Sequence, residues 1–93
     1  MKGKFVVVRT YSAGVHFGTV AEHDGKEVRL TDARRIWNWY GANTLHEVAT
    51  NGVDVARSRV SEPVPSILLT EAIEIIECSE RGKTAILEAR WAR

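Results

Sequence analysis

The stretch Arg34-Arg35-Ile36-Trp37-Asn38-Trp39-Tyr40 gathers two guanidinium groups, two indoles, a carboxamide and a phenol within seven residues. Aromatic faces stack nucleobases at about 1–3 kcal/mol each, and arginine forks grip phosphate through paired hydrogen bonds. The mixture suits a nucleotide or short nucleic-acid site in which Trp37, Trp39 and Tyr40 stack a base, Arg34 and Arg35 hold phosphate and Asn38 fixes orientation. The competing reading is structural: tryptophans on one strand face supply core or subunit contacts, with arginine stems lying over them. Both readings hold if the pocket lies at an oligomer interface.

A second segment, Arg9-Thr10-Tyr11-Ser12-Ala13-Gly14, joins two apolar runs and combines a guanidinium, three hydroxyls and a flexible backbone whose N–H groups can surround an anion. It matches no Walker or dinucleotide loop, and turn chemistry by itself accounts for Ser12, Ala13 and Gly14. Arg9 follows three valines in what should be a central strand, where a charge is costly unless a carboxylate, a carbonyl or a ligand anion meets it. Arg9 therefore joins the phosphate-holding set, with Tyr11 and Ser12 beside it.

Catalytic chemistry has little to work with. His16, His23 and His46 are scattered, and none stands in a spacing that puts two imidazoles on one metal. Cys78 has no adjacent histidine, and there is no G-x-S-x-G elbow. His46-Glu47 reads as a solvated pair with capping duty, and Glu71, Glu74, Glu77 and Glu80 read as a solvated face or as partners for arginines. The expectation is a protein that is not an enzyme and takes no cofactor and no metal.

The elements that must position these residues follow from periodicity. Residues 4–10 contain Phe5-Val6-Val7-Val8, a β-branched run that predicts a buried strand with Phe5, Val7 and Arg9 on one face and Val6 and Val8 on the other. Val15, Phe17, Thr19 and Ala21 then alternate with His16, Gly18, Val20 and Glu22, a second strand that Asp24-Gly25 turns back into Glu27-Val28-Arg29-Leu30-Thr31. After a bend this strand continues through the aromatic cluster, putting Arg35, Trp37 and Trp39 opposite Arg34, Ile36, Asn38 and Tyr40. A helical turn at 32–35 is the alternative there.

Thr44-Leu45-His46-Glu47 is a capping box that opens a two-turn helix with Leu45, Val48 and Ala49 on its apolar face, closed by Asn51-Gly52. Residues 53–62 read as a loop or edge strand, and Pro63-Val64-Pro65 withholds two ladder donors. Residues 67–76 suit either a helix stripe or a long strand, and three isoleucines in four residues favour the strand. Ser79-Glu80-Arg81 opens a last helix that Gly82 weakens by about 1 kcal/mol relative to alanine, with Trp91 near the end. The expected fold class is α+β: a four- or five-stranded, mainly antiparallel, barrel-like sheet with one or two short helices.

The chain has 93 residues, 44% apolar and 27% charged, which suits one small domain spanning 1–93. Its formal charge of +1 provides no general field for nucleic acid or an anionic membrane, so any polyanion contact is local. The apolar run at 5–8 is far below the roughly 18 residues of a membrane span, and Met1-Lys2-Gly3-Lys4 leads into a strand pattern instead of a signal peptide. The expected location is the cytoplasm. The single cysteine excludes an intrachain disulfide.

Three blocks carry a resemblance: R-T-Y-S-A-G-V-H-F-G at 9–18, A-R-R-I-W-N-W-Y-G-A at 33–42 and L-T-E-A-I-E-I at 69–75. The chain resembles a family of short phage and prophage proteins catalogued as a domain of unknown function, over nearly its whole length. The resemblance implies no established activity. Small phage proteins often counter host defence, some as compact oligomers that sequester nucleotide signals, and the analogy rests on genome and size alone. The leading expectation is thus a phage-encoded homo-oligomer acting in the host cytoplasm as an anti-defence sponge for a nucleotide-type immune signal. The alternative, from the same Arg and Trp cluster, is an interaction module that inhibits or adapts a host protein.

Overall fold

The structure, a computed structural model, describes residues 1–54 and 56–89; the end of the chain with Trp91 lies outside the described residues. The elements run β1 (Phe5–Thr10), β2 (Val15–Asp24), β3 (Glu27–Asn38), α1 (Leu45–Asn51), β4 (Arg59–Val60), β5 (Val64–Leu69), β6 (Ala72–Glu77) and α2 (Glu80–Glu88). All ladders are antiparallel, and the class is α+β as its alternating patterns predict. The strand order is β4-β3-β2-β1-β6, with β5 also paired to β3. β3 carries β2 along one edge, so β5 and β4 share the other, from Val28 to Ala33 and from Ile36 to Asn38 respectively.

The predicted long strand at 67–76 is two strands, because Thr70 and Glu71 break it and send the chain from one edge of the sheet to the other. So short a link suffices because the sheet curls. Ala72 N–H reaches Lys26 O at 3.0 Å, and Tyr11 N–H reaches Glu71 O at 2.9 Å. Among the described residues β5 and β6 form no ladder, so the sheet is curled but open and not a closed barrel.

The curl has a local cause. Between the pairs Phe17–Arg34 and Thr19–Thr31, Gly18 alone faces Asp32 and Ala33, a bulge that bends β3 and strengthens its twist. Asp32 takes the left-handed region with φ 50°, which aspartate tolerates better than bulky residues do. A side chain on Gly18 would meet Leu30 Cβ and Thr31 O at 3.0 Å, so the close approach needs glycine there.

The two faces of the curled sheet bury separate cores. Val6, Val8, Val20, Val28, Leu30 and Leu69 fill the concave side. Val7, Phe17 and Ile36 on the convex side pack beneath Val48 and Ala49 of α1 and Ile86 of α2. The β1 alternation thus divides its valines as the period of two requires. Thr44 Oγ1 caps α1 by accepting from Glu47 N–H at 3.2 Å, while Glu47 Oε2 accepts from Asn43 N–H at 2.9 Å, one residue upstream of the expected partner. Gly52, at φ 81°, closes the helix. Ser79 caps α2 by accepting from Gly82 N–H at 3.0 Å. Gly82, a weak helix residue in sequence terms, is the point where α2 lies against α1: a Cβ there would clash with Ala49 O and sit 2.7 Å from Ala49 C. Among the described residues no helix is long and apolar enough to cross a membrane.

Candidate functional site

The strand ends Thr10 and Val15, Trp37 near the end of β3, the turn between β1 and β2 and the start of α1 converge at one end of the sheet. Two open depressions lie there. One, of about 560 Å³, is lined by Arg9, Trp39, Asn43, Thr44, His46 and Glu74. The other, of about 490 Å³, is lined by Ser12, Gly14, Arg35, Trp37 and Trp39. Gly14, Val15 and the Trp39 indole line both. The blocks at 9–18 and 33–42 thus meet in space although the rest of β2 and half of β3 separate them in sequence.

Of the nine residues singled out from sequence, Arg9, Ser12, Arg35, Trp37 and Trp39 border these depressions. β1 is central, between β2 and β6, as expected, but Arg9 is exposed because the helix layer covers Phe5 and Val7 on that face and leaves Arg9 open. Its guanidinium donates to Glu74 Oε1 at 3.1 Å, so a carboxylate answers the charge. Ser12 Oγ donates to Glu71 Oε1 at 2.7 Å. Tyr11 is 78% exposed and borders a separate hollow with Lys26, Glu71 and Ile73.

Arg35 and Trp37 follow the alternation of β3, while Trp39 does not join them on one face. The ladder between β3 and β4 is irregular between Ile36 and Asn38, β3 ends at Asn38, and Trp39 packs half-buried against the convex core. Trp37 remains 53% exposed. Asn38 is exposed opposite Arg59, and the Tyr40 ring lies under the Arg57 guanidinium at 4.3 Å, so both stand outside the two depressions.

Arg34 has a different role from the phosphate contact its sequence context suggests. It is 8% exposed, and its Nε donates to Ser61 O at 2.9 Å. Its terminal nitrogens donate to Ile86 O at 3.2 Å and Ala89 O at 2.6 Å. Ile86 O also accepts from Ala89 N–H at 3.1 Å, so the guanidinium adds a second donor there, holds the carbonyl of the C-cap residue and opposes the negative end of the helix dipole. Burial pushes the guanidinium pKa down.

Sequence reasoning passed over Asn43, Thr44, His46 and Glu74 as site residues, although they complete the first depression; the capping box was the signal that placed Thr44 and His46 together. It also passed over His16, which is 2% exposed. Its Nε2 lies 2.9 Å from Ala13 O. Burial lowers the pKa of this imidazole, the bond to Ala13 opposes the shift, and Arg35 adds to the lowering. The Cys78 thiol is pushed up to about 12 by burial, with Glu77 adding to it, which disfavours the nucleophilic thiolate. Among the described residues no three His, Cys, Asp or Glu side chains converge as a metal ligand set.

Residues 3–86 match the model of a family described as a domain of unknown function, DUF6948. The chain belongs to this family. All of the residues lining the two depressions lie within the matched span. No curated protein and no solved structure matches the chain.

Proposed function

We propose that this member of DUF6948 is a non-enzymatic binding protein that holds a small nucleotide-type molecule at the Trp39 end of its sheet. In this reading it is a phage-encoded sponge, acting by mass action in the host cytoplasm against an immune signal. The observation that carries the proposal is the convergence of Arg9, Arg35, Trp37 and Trp39 on two depressions with a common indole wall. Indoles take base faces, guanidinium forks take phosphates, and sequestration needs no turnover. Both depressions are open, and Trp37 offers apolar area that a second copy would cover, so a homo-oligomer completes the site.

Native mass spectrometry of gently purified protein tests this directly. A multimer carrying a phosphorus-containing adduct is expected, and a ligand-free monomer overturns the reading. With that ligand in hand, Arg9→Ala and Arg35→Ala should each weaken binding while leaving the oligomer, and unchanged affinity in both would displace the site.

The shallowness of the depressions favours a second reading, an interaction module for a host protein, with Trp37 and the Tyr40–Arg57 pair as anchors. A thermal-shift panel separates the two. A nucleotide at 100 times its Kd adds about 2.7 kcal/mol to the stability of a protein that binds it and nothing to one that does not.

A further inference from the structure

The concave side of the sheet opens in a further pocket, of about 190 Å³, bounded by Ala33, Val64 and Ile67 on its apolar side and by His16, Arg35 and Glu62 on its polar side. The His16 ring is almost wholly buried, and its Nε2 faces the carbonyl of Ala13. A carbonyl only accepts, so Nε2 carries the proton. Burial and Arg35 both favour the neutral ring, which leaves a lone pair on Nδ1. Among the described residues Nδ1 has no donor partner, and no fully buried side-chain nitrogen or oxygen lacks one. Nδ1 therefore reaches accessible space, and the space that the ring borders is this pocket.

The pocket selects its occupant by charge, size and hydrogen bonding. Arg35 and Glu62 offset each other, and the Arg34 guanidinium is committed to three carbonyls, so an uncharged polar group fits better than a phosphate. An apolar cavity of roughly 150 Å³ admits benzene, so this volume suits one six-membered ring between apolar walls. The ring must donate a hydrogen bond to Nδ1 and offer an acceptor beside it to Arg35. An imide edge does both, with an N–H flanked by carbonyls, whereas the corresponding ring nitrogen of cytosine sets one lone pair against another. Arg35 also borders the Trp37 depression, so the two sites adjoin.

From this geometry we infer that the His16 pocket is a second base subsite of the nucleotide site, beside the indole walls, and takes a uracil-type base through its imide N–H. The inference rests on the nucleotide reading above and adds the identity of the base.

The test uses the wild-type protein labelled with ¹⁵N-histidine and four probes: uridine monophosphate, its N3-methyl derivative, cytidine monophosphate and adenosine monophosphate. Uridine monophosphate should move the Nδ1 resonance of His16, and methylation of N3 should weaken binding at least tenfold, because it removes the donor and leaves the phosphate unchanged. Equal affinity for the uridine and N3-methyl forms overturns the inference. Binding of uridine monophosphate with His16 unmoved also overturns it while leaving the nucleotide reading standing. Failure of all four to bind overturns the inference, while the nucleotide reading stands or falls on the native mass spectrum.

Discussion

Replacing Arg34 by alanine tests whether this arginine serves the fold or a ligand. In the native protein it makes three hydrogen bonds, to Ser61 O, Ile86 O and Ala89 O, from a position 8% exposed to solvent. Hydrogen bonds to a charged group contribute about 1.5–3 kcal/mol each, but carbonyls at a helix end recover part of that from water. Taking about 1 kcal/mol for each lost bond and about 1 kcal/mol for the charge at the helix C-terminus gives a loss of about 4 kcal/mol. A domain of this length has about 5–14 kcal/mol in total, so Arg34→Ala should forfeit a large share of its stability. At about 4–8 °C per kcal/mol the Tm falls by at least about 15 °C. Urea unfolding followed by tryptophan fluorescence reads this as a lower midpoint, and Arg34→Lys should recover part of it because it keeps the charge but not the fork. An Arg34→Ala midpoint equal to that of the native protein would refute the assignment and return Arg34 to the ligand set.

Three further perturbations follow from the same geometry. Gly82→Ala should destabilise by about 1–2 kcal/mol despite the helix preference of alanine, because the new Cβ meets the Ala49 backbone and forces α1 and α2 apart; Thr84→Ala, exposed on the same helix, should be neutral or mildly stabilising, and matching shifts in the two would count against the contact. His16 has a folded-state pKa below the 6.5 of an unperturbed imidazole, so the unfolded chain binds the proton first. Its contribution is present above pH 6.5 and is lost as pH falls from there toward the folded value, so the urea midpoint should drop between pH 7.5 and pH 5.5. His16→Phe should flatten that drop, and an unchanged slope would assign it to other groups. Cys78, with its thiol pushed up to about 12, should resist a thiol reagent at pH 8 in the native state and react at once in urea; rapid native labelling would refute its burial.

Much of the local structure was legible because local rules governed it. The alternation in β1 separates Val6 and Val8 from Phe5 and Val7, and the two cores receive them accordingly. Thr44, Gly52 and Ser79 mark helix ends by their own chemistry, and Gly25, with φ 59°, turns β2 into β3. The candidate site was legible in part, since Arg9, Ser12, Arg35, Trp37 and Trp39 do border adjoining depressions. Arg34 was not separable from Arg35 in sequence. The two are neighbours of the same type, and α2, which consumes Arg34, begins more than forty residues later.

Composition and periodicity by themselves determined the α+β class, the antiparallel pairing, the strand faces and the caps, because each depends on contacts within a few residues or on a repeat along one strand. Tertiary structure decided the rest. The open curl depends on Gly18 meeting the backbone across the bulge at Asp32, and the division of residues 67–76 depends on Thr70 and Glu71 carrying the chain between the sheet's edges. The role of each arginine depends on which distant group reaches it: Glu74 for Arg9, the α2 carbonyls for Arg34, and for Arg35 the space between Trp37 and His16. A side chain's chemistry is written in its type, but its partner is set by chain segments that only the folded sheet brings together.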